Sequence, residues 1–225
     1  MTELNLFPLF LSLKVAGAST ILAMFIGIPI AYYLSRSNGK LVDIIDTLFT
    51  LPIVLPPTVL GYYLLILLGR QSAIGKFLEG YFDFTIVFTP FGAVIAALIV
   101  SIPFLIKSAR TAFASINPNI IQAARVLGRS EIDIFFTILF PMAWRGIVSG
   151  LTLAFARALG DFGATLMVAG SIPNKTMTMP IAIYDALLAG NRDLANMLVL
   201  IMTMVSILVI YVINRLEKKI VKGGI

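Results

Sequence analysis

The 225-residue chain contains no cysteine and no histidine. These absences exclude disulfides, thiolate or imidazole metal sites, and Ser-His or Cys-His catalytic pairs within it. The sequence also lacks a segment of the form GxxxxGK[ST], so the chain does not hold ATP in a phosphate-binding loop of that kind. Any ATP-driven process that involves this chain must therefore draw its energy from another subunit.

Charged residues are also scarce, at 12% of the sequence, whereas hydrophobic residues make up 59% and the mean hydropathy is +1.00. This composition predicts an all-α integral membrane protein. The net charge of +6 does not indicate nucleic-acid binding, because the basic residues are scattered between apolar runs, as topology signals are. No basic cluster precedes the first apolar run, so we expect it to remain as a membrane helix and not to be cleaved as a signal peptide.

Five apolar segments are long enough to cross a membrane, and we expect them within a single domain over residues 1–225. Their approximate bounds are 6–34, 47–68, 90–106, 146–170 and 197–213. The second segment contains Pro52, Pro56 and Pro57, so its backbone is expected to be kinked or non-helical. Such a segment either lines a pathway or is a kinked packing helix, and the sequence leaves both readings open.

The distribution of basic residues between the loops predicts the orientation. With the amino terminus outside, the external loops contain only Arg70, Lys76, Lys175 and Arg192. The carboxyl terminus and the loop at about 115–141 are then cytoplasmic, in agreement with the positive-inside rule. The cytoplasmic basic residues are Arg36, Lys40, Lys107, Arg110, Arg125, Arg129, Arg145, Arg215, Lys218, Lys219 and Lys222.

The stretch 117–150 is a polar, cationic island between apolar runs. Asn117 can cap a helix that has Pro118 at its first position, and Gly128 can end it. We expect Ser130 to start a second helix with Asp133 in a capping-box position, and Pro141 to end or kink that helix. The apolar residues of the first helix are predicted to share one face, namely Ile120, Ile121, Ala124 and Leu127.

The pattern Gln122-Ala123-Ala124, then Gly128, then ILFP at 138–141 resembles the EAA loop of ABC importer permeases. Gln122 stands where Glu is common, and Phe140 stands where Leu is common. The resemblance implies that the short helix is a coupling helix, which docks on a separate ATPase subunit. It assigns this contact to Gln122, Ala123, Ala124, Leu127 and Gly128. Small Ala123 and Ala124 would allow another surface to approach closely, although the alternative is an amphipathic helix lying on the membrane.

More of the chain resembles the molybdate and tungstate permeases, which are closely related to sulfate permeases. The similar segments include LPIVLPPTVLGY at 51–62, FARALGDFGAT at 155–165, SIP at 171–173 and TMPIAIY at 178–184. Asp161 replaces the usual Glu. The resemblance implies a type I ABC importer permease fold with five transmembrane helices in a prokaryotic cell membrane. It also implies an external oxyanion-binding protein and a separate ATPase that binds ATP and Mg, so that this chain itself holds no cofactor. Sulfate or thiosulfate import is the nearest alternative.

Several polar residues inside the predicted spans are candidates for a translocation pathway. Five spans do not easily enclose a polar pathway, so we expect a homodimer with the pathway on its two-fold axis. A pathway for a dianion should offer neutral donors and weak positive potential. Thr58, Ser149, Thr152 and Thr165 fit by depth and chemistry. Arg157 and Asp161 are one helical turn apart, so they either form a structural pair or contribute to the pathway.

Two functions of other classes compete with import. Gly160-Asp161 and Tyr184-Asp185 faintly resemble the motifs of an intramembrane aspartyl protease, but Ala158 occupies the first glycine position and the order of the motifs is reversed. An ATP-independent channel or carrier is the other alternative. The capped Gln122-Ala123-Ala124 helix favours an ATPase partner over both.

Overall fold

A computed structural model describes residues 5–223 of the chain, without the side chains of 214 and 216–223. The described part is helical. Its elements are α1 (Phe7–Arg36), α2 (Lys40–Val54), α3 (Pro57–Leu68), α4 (Ala73–Phe82), α5 (Pro90–Ala114), α6 (Pro118–Val126), α7 (Glu131–Ile134), a π-helical turn (Phe135–Leu139), α8 (Phe140–Leu159), α9 (Gly163–Ala169), α10 (Met179–Leu188) and α11 (Arg192–Gly223). The side chains of Lys218, Lys219 and Lys222, which contribute to the predicted basic tail, lie outside the described residues.

The core of the bundle is formed where α1, α5 and α8 pack together. Small residues allow α5 and α8 to approach closely. A Cβ atom at Gly146 would lie 2.4 Å from the Cβ of Ala112, and one at Gly150 would lie 2.9 Å from the Cβ of Ser108. The Ser108 hydroxyl also donates a hydrogen bond to the Gly146 carbonyl at 2.7 Å. Close packing and interhelical hydrogen bonds hold helices together where lipid supplies no hydrophobic driving force.

The second predicted span, 47–68, consists of two helices, α2 and α3, which are bent by 118° with respect to each other. The break lies at Leu55-Pro56, and Pro57 takes the first position of α3, where its missing N–H costs no hydrogen bond. Helix α2 begins at Lys40, seven residues before the predicted start at 47. Its polar first half is held by α5, since Asp46 accepts from Arg110 at 2.7 Å and lies 3.4 Å from the Lys107 Nζ.

The fourth predicted span, 146–170, does not match one continuous helix. Helical structure runs from Glu131 to Leu159, and a break at 160–162 separates it from α9. Of the two expected effects of Pro141, ending or kinking this helix, the first is wrong, because helical structure continues through it. The π-helical turn before it lets the Phe140 N–H bond to the Phe135 carbonyl, and Pro141 falls in the first turn of α8, where an N–H is dispensable.

Four helical stretches are long and apolar enough to cross a membrane, and the bent pair α2–α3 makes a fifth if it is counted as one span. The four are Phe7–Arg36, Pro90–Ala114, Glu131–Leu159 and Arg192–Ile213. The apolar window of Pro90–Ala114 is 61% buried, whereas that of Arg192–Ile213 is 6% buried, so α5 is central and α11 peripheral. Helix α10 packs against α11 and is fixed to α1, because the Met179 N–H donates to the Ser12 hydroxyl at 2.7 Å.

Candidate functional site

The short helix α6 has both of the ends that its sequence predicts. The Asn117 side-chain oxygen accepts a hydrogen bond from the Asn119 N–H at 2.9 Å, and Pro118 follows as the first helical residue. At the other end Gly128 has a φ of +79°, a conformation that glycine adopts without strain. The chain reverses there, and the Arg129 N–H reaches back to the Ala124 carbonyl at 3.1 Å. Local sequence therefore defines α6 independently of any partner.

Two ion pairs fasten α6 and the following turn to α7. Arg125 makes a two-pronged contact with the Glu131 carboxylate, with distances of 2.5 Å from Nε and 3.0 Å from Nη2. Arg129 donates to Asp133 at 2.6 Å, and the Ser130 hydroxyl accepts from the Asp133 N–H. The hydrogen bond with Glu131 raises the pKa of Arg125, and the one with Asp133 raises the pKa of Arg129. The two ion pairs thus join α6 and the reversal to α7.

The predicted apolar face of α6 is divided between the chain's own core and its surface. Ile121 and Ala124 are buried in the bundle, with Ala124 only 5% exposed. Ile120 is 39% exposed and Leu127 is 82% exposed. Ala124 thus packs inward and does not offer a small outer surface to a partner, whereas Gln122 and Ala123 are exposed. The division arises because one side of α6 rests on the bundle beneath it.

Three apolar side chains stand exposed beside the reversal at Gly128. Val126, Leu127 and Ile132 are 87%, 82% and 73% exposed, and we call them the apolar patch of the loop. Sequence reasoning identified Leu127 but missed Val126 and Ile132. The signal for them was present, since both are large apolar residues inside the most polar stretch of the chain. Charged residues flank them along the chain, namely Arg125, Arg129 and Glu131.

A second group of candidate residues lies at the junction between α8 and α9. Arg157 Nη1 lies 3.4 Å from the Asp161 carboxylate, whose side chain is fully buried while that of Arg157 is 26% exposed. Asp161 also accepts hydrogen bonds from the N–H and the hydroxyl of Thr165, at 2.9 and 2.7 Å. Asp161 thereby satisfies a free N–H of the first turn of α9. The three residues form one connected polar group, which we call the junction group.

Helix α3 packs closely against α9 beside the junction group. A Cβ atom at Gly163 would lie 3.0 Å from Cγ2 of Thr58, and one at Gly61 would lie 2.9 Å from the Cα of Ala164. Thr58 is exposed in the first turn of α3. Its contact with Gly163 places it next to the start of α9. The structure brings Thr58 near the junction group through this backbone contact.

Ser149 and Thr152, the remaining pathway candidates, are half-buried on α8. The Thr152 hydroxyl donates to the Val148 carbonyl of its own helix at 2.9 Å. They are three residues apart, so they share a face of α8. The structure gives neither of them a hydrogen bond to the junction group, and we treat them as a separate polar stretch of α8.

A cavity of about 810 Å³ opens on the opposite side of the bundle from α6, among α3, α4 and the segment before α5. Arg70 and Lys175 provide positive charge in its lining, and Ser72, Thr85 and Thr89 provide hydroxyl groups. Arg70 lies 3.8 Å from Glu79 and is mostly exposed. Phe88, another lining residue, has a φ of +60°, which is unusual for a bulky side chain. No pattern in the sequence predicted this cavity.

Among the side chains that the structure describes, no three acidic groups lie close enough together to hold a metal ion. The two acids of the protease-like motifs have separate partners: Asp161 belongs to the junction group, and Asp185 accepts a hydrogen bond from the Ser171 hydroxyl.

Known sequences match this chain along almost its whole length. A family model described as "Binding-protein-dependent transport system inner membrane component" matches residues 23–223. The chain is 36% identical to the molybdenum transport system permease protein ModB of Azotobacter vinelandii, over 94% of this chain and 93% of that protein. It is 41% identical to the protein of the same name from Escherichia coli K12, over 77% of this chain and 76% of that one.

Two solved structures have the same fold. One is a bacterial ABC transporter involved in the import of the acidic polysaccharide alginate, with a TM-score of 0.77 and 16% identity over 98% of this chain and 81% of that one. The other is an inward-facing MetNI methionine ABC transporter, with a TM-score of 0.74 and 18% identity over the full length of both chains. At these identities the likeness concerns the fold, which is that of a type I ABC importer permease.

Proposed function

The chain belongs to the family of binding-protein-dependent transport system inner membrane components, and on that basis we propose that it is the permease subunit of an ATP-driven importer of molybdate or tungstate. One observation carries the choice of substrate: two relatives named as molybdenum transport permeases are 36% and 41% identical to it over most of its length. The chain is a multi-pass membrane protein and a transport subunit, not an enzyme.

The contact with the ATPase is proposed at α6 and the apolar patch of the loop. Gln122, Ala123, Leu127 and Gly128 lie on or beside an exposed surface, and Val126 and Ile132 extend it. Ala124 supports the contact from within, since it seats α6 on the bundle. The ion pairs Arg125–Glu131 and Arg129–Asp133 hold the reversal against α7. A displacement of the patch by the ATPase is therefore transmitted to α8.

The remaining partners are proposed from the transport class. An external oxyanion-binding protein delivers the cargo, ATP and Mg are bound by the ATPase subunit, and a second copy of the chain completes the pathway. The amino terminus is proposed to lie outside and the carboxyl terminus in the cytoplasm of a prokaryotic cell. The excess of basic residues in the loops on the α6 side supports this orientation.

The pathway is proposed to involve Thr58, Ser149, Thr152 and the junction group of Arg157, Asp161 and Thr165. Asp161 balances the charge of Arg157, and because Arg157 is the more exposed of the two, its guanidinium can attract a dianion without trapping it. Because Asp161 joins the end of α8 to the start of α9, movement of α8 changes the position of α9 against Thr58 of α3. The junction group would thus translate movement begun at α6 into a change of the pathway.

Uptake into proteoliposomes tests the proposal. The chain is reconstituted with its ATPase subunit, and binding protein loaded with molybdate, tungstate or sulfate is added outside. We expect ATP-dependent accumulation of molybdenum or tungsten, measured by mass spectrometry of the washed vesicles. Accumulation of sulfate alone would identify a sulfate importer, and accumulation without ATP would identify a channel or carrier.

A further inference from the structure

A small cavity lies between the cytoplasmic end of α1 and the inner side of α6. Its volume is about 200 Å³, and it is lined by Tyr32, Arg36, Pro118, Ile121, Gln122 and Arg125. A water molecule takes about 30 Å³ in the liquid, so the space accommodates a small polyatomic ion. The cavity is distinct from the junction group at the end of α8 and from the apolar patch of the loop.

Arg36 gives the cavity an incompletely satisfied positive charge. Its Nη2 donates to the Phe113 carbonyl at 3.1 Å, whereas its Nε is buried and has no hydrogen-bond partner in the described part of the chain. No carboxylate within residues 5–213 forms an ion pair with Arg36. A buried donor without a partner is costly, so such a group commonly indicates a ligand or an ion that completes the site.

The other polar side chains of the cavity are also mainly donors. Arg125 lies across from Arg36 on α6, and its Nε and Nη2 are occupied by Glu131. Glu131 pairs with Arg125 alone and no described carboxylate pairs with Arg36, so the surroundings of the cavity keep a net positive charge. Tyr32 contributes a hydroxyl, and Gln122 contributes an amide where a glutamate would have contributed a negative charge. This combination matches an oxyanion, which accepts hydrogen bonds through several oxygens and carries the missing charge.

We propose that this cavity binds a small tetrahedral oxyanion from the cytoplasm, and that the anion links α1 to α6. Molybdate or sulfate released as cargo and inorganic phosphate released by ATP hydrolysis share the required chemistry. The site goes beyond the proposed transport function and does not depend on it, because it rests only on the charge and hydrogen-bonding state of Arg36 and its neighbours.

The test is a binding measurement on the full chain in lipid nanodiscs, alone and in complex with its ATPase subunit. Molybdate, sulfate and phosphate are titrated by calorimetry at constant ionic strength, with chloride as the reference anion. We expect saturable binding of at least one oxyanion in both preparations. Binding of phosphate as tight as that of molybdate would indicate a general oxyanion site, whereas preference for molybdate would identify the cargo as its ligand.

Three variants assign the binding to this cavity. Arg36→Gln removes the charge, and Gln122→Glu places a carboxylate in the lining at almost unchanged size, so each should weaken binding at least tenfold. Gln122 is exposed, which makes Gln122→Glu safe for folding even if Arg36→Gln proves unstable. Arg129→Gln is the matched control, since it removes an equal charge from a position near Gln122 but outside the cavity lining, and it should leave the affinity unchanged.

Two results would overturn the proposal. One is oxyanion binding that neither Arg36→Gln nor Gln122→Glu weakens, because the anion would then occupy another place. The other is binding that disappears when the ATPase subunit is assembled, which would indicate that a carboxylate of that subunit fills the cavity. Failure of transport itself would not affect the outcome, since binding is measured without transport.

Discussion

The carboxylate of Asp161 accepts hydrogen bonds from both the N–H and the hydroxyl of Thr165, at 2.9 and 2.7 Å. These bonds hold the first turn of α9 directly behind the end of α8, across the break that begins at Gly160. Helix α9 has only seven residues, too few to be stable alone, so this side chain and the packing against α3 and α5 determine its position.

Replacing Asp161 should destabilise the junction in a graded way. Asp161→Ala leaves two buried donors of Thr165 without an acceptor, and we expect a loss of about 1–3 kcal/mol in the free energy of unfolding. Asp161→Asn keeps a side-chain oxygen that can cap the helix equally well, so its loss should be less than half as large. Thermal unfolding of the two variants in detergent measures the difference. Equal losses would contradict the capping role.

The close approach of α5 and α8 should not tolerate an added methyl group. A Cβ at Gly146 would lie 2.4 Å from that of Ala112, so Gly146→Ala must separate the helices, at a cost of about 1–3 kcal/mol. Gly17→Ala in α1 is the matched control, because nothing lies within 4 Å of the added atom. Since alanine favours helices, this control should be neutral or stabilising. A melting temperature that falls equally in both variants would argue against specific packing at Gly146.

Two substitutions in the loop should separate docking from folding. Leu127→Asp puts a charge in the apolar patch on a side chain that is 82% exposed, so the melting temperature should stay within a few degrees while copurification of the ATPase subunit falls at least tenfold. Ala124→Trp instead overfills a buried position, and it should lower the melting temperature itself. Thermal unfolding and copurification are measured on the same preparations. Undiminished copurification with Leu127→Asp would remove the patch from the ATPase contact.

Asp46 should fasten α2 to α5. Val42 is the buried residue of α2, Ile45 and Phe49 pack half-buried against the same core, and the bonds from Arg110 and Lys107 to Asp46 add a polar attachment. We therefore expect Asp46→Asn to raise the alkylation rate of an introduced Val42→Cys about tenfold, and the reaction has no background because the chain contains no native cysteine. Asp43→Asn, on the same helix and outside these bonds, serves as the control. A rate unchanged by Asp46→Asn would show that packing alone holds α2.

Local signals in the sequence predicted local structure well. The caps at Asn117 and Ser130, the reversal at Gly128 and the break among Pro52, Pro56 and Pro57 all depend on neighbouring residues, and the structure contains each of them. The type I importer permease fold was predicted through resemblance of motifs, and the family and fold comparisons confirm it.

Features that depend on distant contacts were not predictable in this way. Ala124 points inward because the bundle lies beneath α6, which the helical periodicity alone does not reveal. Pro141 lies within a continuous helical stretch because, after the π-helical turn, no hydrogen bond requires a backbone N–H at this position. The break after Leu159 was missed because 146–170 has the length and overall hydropathy of one span. Asp161 and Thr165 form a cap only once the chain has turned.

The most direct test of the account is ATP hydrolysis by the chain reconstituted in lipid with its ATPase subunit. Binding protein is added outside in four forms, namely loaded with molybdate, tungstate or sulfate, or empty. We predict that molybdate- or tungstate-loaded protein stimulates hydrolysis several-fold, and that Leu127→Asp abolishes the stimulation. Hydrolysis that is stimulated only by sulfate-loaded protein, or that does not respond to any form, would contradict the proposed function.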